Sequence, residues 1–451
     1  MLVAAAQAGA QDDARQLTLP EARAVAVNAL QTNRPEITLA LTQGLIKANP
    51  KDGVAYFLMA NAYANLGKAT DARKAASKAY RFGTTKLQKF EAAQLAARLA
   101  VGEERPGLAQ LWLRRTAIHS DDEASDQGIA RDYKILRRIN PWSFRLSGGI
   151  QPSDNVNNGA ESPIYLINGE PSIGSLSGSA LALSGVIATF DANVSYRLRE
   201  SKKSQTHVGA RFFSQRVRLS DSARATAPGV SNGDFTFNFG ELSLNHAFVV
   251  GQKDRPGEAK VGLAVGQAHY GGNKIYDFVR INGARSWRLS ETTRFELSGA
   301  AESRKAALGT LDADILTLTA MMQRHLGNGN RLDLTFSIRD SDATNINGTS
   351  RSASIRALYS LGKKVGPARM QAGLGIASTN YPQFFVGIAP VASVIERQDE
   401  AINANLDFVF EDIDYAGFVP RLSIQAARSR SNDSRFTTRQ LTLSLGITSK
   451  F

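Results

Sequence analysis

The sequence predicts a two-part fold, in which all-α, tetratricopeptide-like helical repeats are followed by an antiparallel transmembrane β-barrel of about 14 strands. Two observations lead to it. Apolar residues recur at helical spacing until about residue 138, and from Pro141 onward they alternate with polar residues at a period of two. The predicted domains are residues 1–10, a signal-peptide remnant, residues 11–140, a periplasmic helical domain, and residues 141–451, an outer-membrane barrel.

Composition excludes several classes of protein. The 451 residues are 43% hydrophobic and 21% charged and include no Cys, which rules out a disulfide framework, a Cys-based zinc site and a thiol nucleophile. No window has 18 uninterrupted apolar residues, so no transmembrane helix is expected. The 54 basic and 41 acidic side chains leave a net charge of +13. Both halves share this surplus without forming a basic stripe, and no nucleic-acid partner is expected.

The first ten residues are small and apolar and end in Ala8-Gly9-Ala10. That ending fits the cleavage pattern of a secretory signal peptide, although no basic segment stands before it. The alternative is an Ala-rich tail without a targeting role. Together with the lack of Cys, the pattern predicts a bacterial envelope protein.

One helical hairpin carries a clear repeat pattern. Counted from Gly53, the sequence has residues of the sizes that the 34-residue tetratricopeptide motif requires, at Tyr56, Met59, Ala60, Tyr63, Gly67, Ala72 and Ala79. Pro50 ends the preceding repeat. The flanking units, near residues 19–50 and 87–119, match the motif loosely, and a generic helical bundle is the alternative.

In such repeats the first helix of each pair lines a concave groove. Four side chains of the clear repeat would point into it, namely Val54, Phe57, Asn61 and Asn65. The two Asn amides can bind the backbone of an extended peptide without reading its sequence. We predict that these residues form a groove for a client protein.

The alternation in the second half predicts fourteen strands. They lie near residues 143–150, 181–198, 205–219, 235–249, 259–270, 276–289, 293–303, 313–325, 331–341, 350–361, 367–379, 400–410, 418–429 and 437–451. Short connections follow the even-numbered strands, and long ones, near residues 151–180, 219–234 and 380–399, follow odd-numbered strands. An even strand number with loops sorted in this way indicates an outer-membrane barrel with both termini in the periplasm rather than a soluble β-sandwich.

Side chains at the strand ends agree with a membrane barrel. Aromatic residues gather on the short-turn side, as in an interfacial girdle, at Trp142, Trp287, Phe248, Phe295, Tyr359, Phe408, Phe410, Phe418 and Phe451. The last strand has one apolar face that ends in the terminal residue, the pattern of a barrel insertion signal, formed by Leu443, Leu445, Ile447 and Phe451.

The polar faces of the strands carry charges of both signs. The predicted lumen-facing residues are Arg197, Arg211, Asp333, Arg339, Asp407 and Arg421. We expect these charges to pair with one another inside the barrel, and a substrate path is the alternative. A lumen built for polyanions would carry mainly one sign.

No residues have catalytic or metal-binding spacing. The histidines are scattered, without an HExxH motif, at His119, His207, His246, His269 and His325. Asp154-Asn155-Val156-Asn157-Asn158-Gly159 looks like a calcium loop, but Val156 stands where an oxygen ligand is needed. The chain has no GxSxG, P-loop or dinucleotide motif. We therefore expect neither an enzyme nor a cofactor.

With helical repeats followed by fourteen strands, the chain resembles the surface lipoprotein assembly modulator (Slam) family over nearly its whole length. The most specific stretches are Pro141-Trp142-Ser143, Asp154-Asn155-Val156-Asn157, Gly417-Phe418-Val419-Pro420-Arg421-Leu422 and Ser431-Asn432. The resemblance implies transport of client proteins across the outer membrane, with the helical domain receiving them in the periplasm. This helical domain is short, with one clear repeat, and that difference leaves the client class open.

The sequence therefore favours an outer-membrane translocator that delivers surface lipoproteins or related secreted proteins to the cell surface. The alternatives are an exopolysaccharide export barrel with periplasmic helical repeats and a passive porin. The expected partners are the client protein, outer-membrane lipid and the barrel insertion machinery, and the expected state is a monomer. We expect the barrel to lie in the bacterial outer membrane and the helical domain in the periplasm.

Overall fold

The computed structural model describes residues 17–251, 256–307, 312–386, 393–413 and 418–449. The chain divides into two compact units, one ending at Asn140 and the other beginning at Pro141. The predicted signal-peptide remnant and Phe451 lie outside the described residues. Among the residues that are described, no helix is long and apolar enough to cross a membrane.

The described part of the helical unit forms helices α1 (Leu19–Gln31), α2 (Pro35–Ala48), α3 (Gly53–Asn65), α4 (Ala69–Phe82), α5 (Lys86–Gly102), α6 (Pro106–Ala117) and α7 (Glu123–Ile139). The first six make three consecutive pairs. The first helix of each pair, and α7, begins after a residue whose side chain caps the helix, namely Thr18, Asp52, Thr85 and Asp122. These caps are 34, 33 and 37 residues apart, close to the tetratricopeptide period.

The turn inside each helix pair has the same backbone geometry. In all three, a residue with φ between 55° and 71° stands before a basic residue with ψ between 65° and 70°. The turns are Asn33-Arg34-Pro35, Gly67-Lys68-Ala69 and Glu104-Arg105-Pro106. The flanking units, which match the motif loosely in sequence, thus share the turn of the clear repeat, because Asn and Glu here adopt the left-handed conformation that Gly adopts most easily.

Small side chains set the distance between the helices. Fully buried alanines lie on α3 and α4, at Ala55, Ala60, Ala62, Ala72 and Ala76. The closest backbone approach is at Gly53, where an added Cβ would lie 2.9 Å from backbone atoms of Phe82 and Gly83. The first position of α3 is therefore restricted to Gly by packing.

The second unit is a closed antiparallel barrel of fourteen strands. They are β1 (Trp142–Ser153), β4 (Gly185–Glu200), β5 (Ser204–Leu219), β6 (Phe237–Gly251), β7 (Pro256–Tyr270), β8 (Asn273–Arg288), β9 (Thr293–Ala306), β10 (Ala313–His325), β11 (Arg331–Ala343), β12 (Ser350–Ser360), β13 (Arg369–Val386), β14 (Ser393–Val409), β15 (Phe418–Ser431) and β16 (Thr438–Ser449). Each strand pairs with its sequence neighbours, and β16 pairs with β1 to close the sheet. The predicted fold class and strand number are confirmed.

The two faces of the barrel wall differ in chemistry. Alternate residues of a strand point to opposite sides, and register partners share a side. Large apolar side chains such as Leu316 and Ile281, both 63% exposed, lie on the outer face. The inner face carries ion pairs, and the Asp407 side chain there is only 5% exposed. This distribution suits a barrel with lipid outside and a polar lumen.

The connections between strands lie at the two ends of the barrel. We call the end where β1 begins the turn end, and the end where β1 finishes the loop end. Two long connections lie at the loop end. Residues 154–184 contain the hairpin β2 (Ile164–Ile167) and β3 (Glu170–Ser175), and residues 220–236 contain α8 (Asp221–Thr226).

The prediction of a long loop near residues 380–399 is wrong. Strand β13 continues to Val386 and β14 begins at Ser393. A register shift between Tyr381 and Phe384 interrupts the pairing without ending it, and both rings pack against the Arg397 guanidinium. These contacts extend the hairpin over most of the stretch that its sequence predicts as a loop.

Aromatic side chains lie on the outer face at the turn end. The Trp142 ring is 4.7 Å from that of Tyr196, and the Trp287 ring is 5.7 Å from that of Phe295. Rings at this level of a barrel wall fit the boundary between hydrocarbon and headgroups.

The close approach at Gly53 leads to the first prediction. Gly53→Ala should destabilise the helical unit by about 1–3 kcal/mol, because the methyl group would push α3 away from the backbone at Phe82 and Gly83. Gly44→Ala, in α2, is the matched control: an added Cβ there meets nothing within 4 Å, and helix propensity should raise stability by up to about 1 kcal/mol. Thermal unfolding of the full chain, followed by circular dichroism at 222 nm, measures both. An unchanged midpoint for Gly53→Ala would contradict the packing argument.

Candidate functional site

The predicted client groove lies along one stripe of α3. Val54, Phe57 and Asn61 are partly exposed, and Asn65 is exposed. The Asn61 amide nitrogen donates to the Phe57 carbonyl oxygen at 2.9 Å. One of its donors is therefore used within the helix, and its side-chain oxygen is the group that faces a ligand more freely.

The stripe continues on α5. The helix caps Asp52 and Thr85 are 33 residues apart. The positions of α5 that are equivalent to the four groove positions of α3 therefore lie 33 residues later, at Leu87, Phe90, Gln94 and Arg98. Leu87 is 63% exposed, and Gln94 and Arg98 are also exposed. The repeat therefore carries an exposed, mainly uncharged surface from one first helix to the next.

A cavity of about 360 Å³ lies between α5 and α7. Phe90, Ala97 and Ile135 give it apolar walls, and Arg98 and Asp132 bring opposite charges to its edge. A cavity of this size and lining accepts one or two apolar side chains of a peptide.

On the barrel, the predicted lumen-facing residues share the inner face. Arg211 binds Asp191 at 2.7 Å, and Arg421 binds Asp407 at 2.7 Å. The remaining three contact their own strand or point into the lumen, with Asp333 3.0 Å from Arg331, Arg197 3.0 Å from Glu200, and Arg339 exposed. Charges of both signs pair along the wall, and these pairs stabilise the inner face without creating a one-signed surface.

A larger network crosses the inner wall at mid-height. The Arg280 guanidinium binds Glu241, and its other nitrogen lies 3.2 Å from Glu302. Glu302 also accepts from Arg304 at 2.6 Å. These ion pairs connect three strands, β6, β8 and β9. The carboxylates of Glu241 and Glu302 are only 15% and 11% exposed, and the guanidinium groups of Arg280 and Arg304 bind them.

Aromatic rings accompany these arginines. Arg304 lies 4.3 Å from the Tyr276 ring centroid, and Arg280 lies 5.3 Å from that of Phe278. The Phe278 ring stacks on Phe239 at 5.5 Å. Cation–π contacts keep long guanidinium side chains against the wall. The sequence analysis did not predict these arginine–aromatic contacts. They could have been recognised from aromatic residues at strand positions whose side chains point into the lumen, such as Phe237 and Phe239.

A second arginine is enclosed near the loop end. The Arg397 side chain is 7% exposed and lies 3.3 Å from the Phe436 ring centroid, with Asp399 3.0 Å from its Nε. Asp433, in the connection between β15 and β16, is 1% exposed, and burial raises the pKa of its carboxyl group. Arg397 thus fixes that connection to β14.

The junction between β1 and β16, which we call the seam, is paired over a short stretch. The register partners are Gly148 with Ile447, Gly149 with Gly446, Ile150 with Leu445 and Ser153 with Thr442. Strand β1 pairs with β4 along its whole length. Ser147 and Thr448 stand opposite each other in the seam register, and no pairing joins them.

Residue type explains the short pairing. A Cβ on Gly446 would lie 2.7 Å from the Gly148 carbonyl oxygen, so the strands approach closely where neither has a side chain. Pro152 has no N–H to donate to β16. Among the described residues, this junction has fewer register pairs than either neighbouring junction.

The loop end of the seam is held by the first long connection, through contacts that we call the clamp. The Asn155 amide donates to the Arg439 carbonyl oxygen at 3.2 Å, and Gln440 donates to the Asn155 carbonyl oxygen at 3.1 Å. The Leu441 N–H donates to the Asp154 carboxylate at 3.0 Å. Further along, Asn432 donates to the Asn168 side chain at 2.7 Å. The Asp154–Asn157 stretch is therefore a structural element that joins the two sides of the seam.

The clamp leads to the second prediction. Asn155 is 2% exposed, and its side chain also accepts from the Gly159 N–H at 2.8 Å. Asn155→Ala should leave buried backbone groups unpaired and destabilise the clamp by about 2 kcal/mol. Amide hydrogen exchange in residues 154–160 and 438–441 should become more than tenfold faster. Asn273→Ala, at an exposed position of the loop end, should leave these rates unchanged. Equal rates in the two variants would show that Asn155 does not hold the seam.

Comparisons with known proteins identify architecture only. No protein-family model matches the chain, and no curated protein sequence matches it. The resemblance to the Slam family is therefore not confirmed by these comparisons. The helical part is similar to the type III secretion translocator chaperone SycD of Yersinia enterocolitica, at 14% identity over 28% of this chain and 86% of that chain, with a TM-score of 0.24.

The barrel is similar to solved outer-membrane proteins. A loop-deletion mutant of OmpT, an outer membrane protein of Vibrio cholerae, matches at 9% identity over 69% of this chain and 99% of that chain, with a TM-score of 0.32. A BenF-like porin from Pseudomonas fluorescens matches at 10% identity over 68% of this chain and 98% of that chain, with a TM-score of 0.36. The closed antiparallel sheet and its apolar outer face identify the second unit as an outer-membrane-type barrel.

Proposed function

We propose that this protein is an outer-membrane translocator that delivers specific client proteins, surface lipoproteins or related secreted proteins, to the cell surface. The observation that carries the proposal is the seam, which is clamped at the loop end and, among the described residues, has no register pair beyond Gly148 and Ile447 toward the turn end. A porin has no use for a wall that parts, whereas a translocator needs a path for an extended chain. The resemblance to the Slam family in the clamp residues points the same way.

The seam offers a physical mode of client binding. At the edge of β1 near Ser147, the described residues pair with β4, and Ser147 has no register partner among the described residues of β16. An extended client segment could add to that edge by main-chain hydrogen bonds, which depend little on sequence. Separation of β1 from β16 near Ser147 would then admit the segment, while the clamp keeps the loop end closed.

The helical unit would receive the client first. Its exposed stripe combines apolar and amide side chains, and the cavity between α5 and α7 takes apolar side chains. Such surfaces bind extended protein segments. The mixed charges of the barrel wall support a protein client over a polyanionic polysaccharide.

The third prediction tests the groove. The variant Leu87→Ala/Gln94→Ala/Arg98→Ala removes exposed groove side chains and should keep the helical unit folded. Display of a co-expressed client protein, a surface lipoprotein or related secreted protein, measured by protease accessibility on intact cells, should fall at least fivefold. Ile37→Ala, which removes a 44% exposed side chain from α2 outside the groove, is the control. Equal display by the triple variant and the control would rule out capture by this groove.

The fourth prediction tests the seam. Because the chain has no Cys, the pair Ser147→Cys/Thr448→Cys can form a disulfide only across the seam. Oxidation should block display of the same client protein, and reduction should restore it. Ser423→Cys/Ser444→Cys joins register partners of β15 and β16 and should leave display unchanged after oxidation.

Two results would contradict the proposed path. Normal client display after complete oxidation of the seam pair would mean that the wall does not open there. A high, steady ion conductance of the purified protein in planar bilayers, equal in the oxidised and reduced states and with no effect on client display, would favour the passive porin.

A further inference from the structure

Three arginines lie together on the outer face of the barrel near the loop end. Arg428 and Arg439 are register partners on β15 and β16, and Arg430 follows on β15. They share the outward side with Ile402, the partner of Arg428 on β14, and with Leu441, 55% exposed, on β16. All three arginines are exposed. They stand at the loop-end limit of the apolar outer face.

This arrangement is unfavourable without an anion. Like charges directly opposite each other on neighbouring strands repel. Glu161 lies 3.7 Å from Arg428, and Glu400 is the register partner of Arg430. Arg439 has no carboxylate within 4.0 Å among the described residues. The cluster thus keeps a positive surplus and unfilled guanidinium donors.

An apolar depression adjoins the cluster. It has a volume of about 710 Å³ and is lined by residues of β11–β14, with Arg428, Arg430 and the carboxylate of Glu400 at one side. Its apolar lining comes from Phe336, Ile355, Ile376 and Ile402. Small residues between these side chains, such as Ala353, leave the space open.

We infer that this surface binds one phosphorylated lipid of the leaflet at the loop end. Its phosphate contacts Arg428, Arg430 and Arg439, and one acyl chain fills the apolar depression. Guanidinium groups bind phosphate through paired, charge-assisted hydrogen bonds, and hydrocarbon gains contact with the isoleucine side chains. Charge complementarity and the adjoining apolar surface select a lipid over a soluble anion, which would leave the depression without a partner. The inference is independent of the proposed translocation.

The test uses the purified full chain in a neutral detergent with three probes: bisphosphorylated lipid A, the same lipid after removal of its phosphates, and inorganic phosphate. Bound lipid is measured by native mass spectrometry. The expected result is binding of the bisphosphorylated lipid at one site, at least tenfold weaker binding of the dephosphorylated lipid, and no competition by millimolar phosphate.

Variants locate the site. Arg428→Gln/Arg430→Gln/Arg439→Gln should weaken lipid binding at least tenfold. Arg216→Gln/Arg218→Gln, which neutralises exposed outward arginines near the loop end of β5, should bind as the unmodified chain does. A heat-dependent shift in electrophoretic mobility checks that each barrel is folded.

Four outcomes would overturn the inference. The first two are equal binding by the triple variant and the unmodified protein, and equal binding of the phosphorylated and dephosphorylated lipids. The third is full competition by inorganic phosphate, which would identify the cluster as a simple anion site. The fourth is loss of binding in both variants, which would mean that overall charge, and not this surface, attracts the lipid.

Discussion

Closure of the sheet is the constraint on which the barrel depends. In hydrocarbon no water can satisfy a free strand edge, and each strand must therefore pair on both sides. Thirteen of the fourteen junctions join strands that are consecutive around the barrel and in sequence, and the β1–β16 seam joins the two that are farthest apart. The seam has glycines on both strands, Gly148 and Gly446 among them, and Pro152 in β1. Loop contacts at the loop end join its two strands in addition to the ladder.

Those loop contacts connect sequence features that look unrelated. Asp154 and Asn155 lie in the first long connection, and Asn432 lies almost 280 residues later, yet they meet around the loop end of the seam. Nearby, Arg397 holds the β15–β16 connection through Phe436. The loop end of the seam is therefore held by loop contacts as well as by the ladder, whereas toward the turn end the pairing between described residues ends at Gly148 and Ile447.

Charge is distributed differently on the two faces of the barrel wall. Inside, arginines face carboxylates on neighbouring strands, and aromatic rings hold them against the wall. Outside, Arg428 and Arg439 face each other at the edge of the apolar surface. Paired charges stabilise an enclosed wall, whereas a like-charged pair on an exposed surface is stable when a ligand supplies the opposite charge.

The fold class follows from the sequence alone, because periods of 3.6 and two are local properties of the backbone and need no knowledge of the tertiary structure. The sequence also identified the strands and the polar face, since alternation places each side chain on one side of a sheet. The flanking repeats were less clear from the sequence, because Asn33 and Glu104 stand at the positive-φ position of their turns, where the clear repeat has Gly67. Gly at such a position is easier to recognise in a sequence than Asn or Glu. The sequence predicted a loop at residues 380–399, although most of that stretch is strand. The Arg397 guanidinium there contacts the rings of Tyr381 and Phe436, and these contacts exist only when β13, β14 and the β15–β16 connection come together. The seam, its clamp and the Arg280 network were decided by tertiary structure, because each joins residues on different strands and closure alone brings β1 to β16.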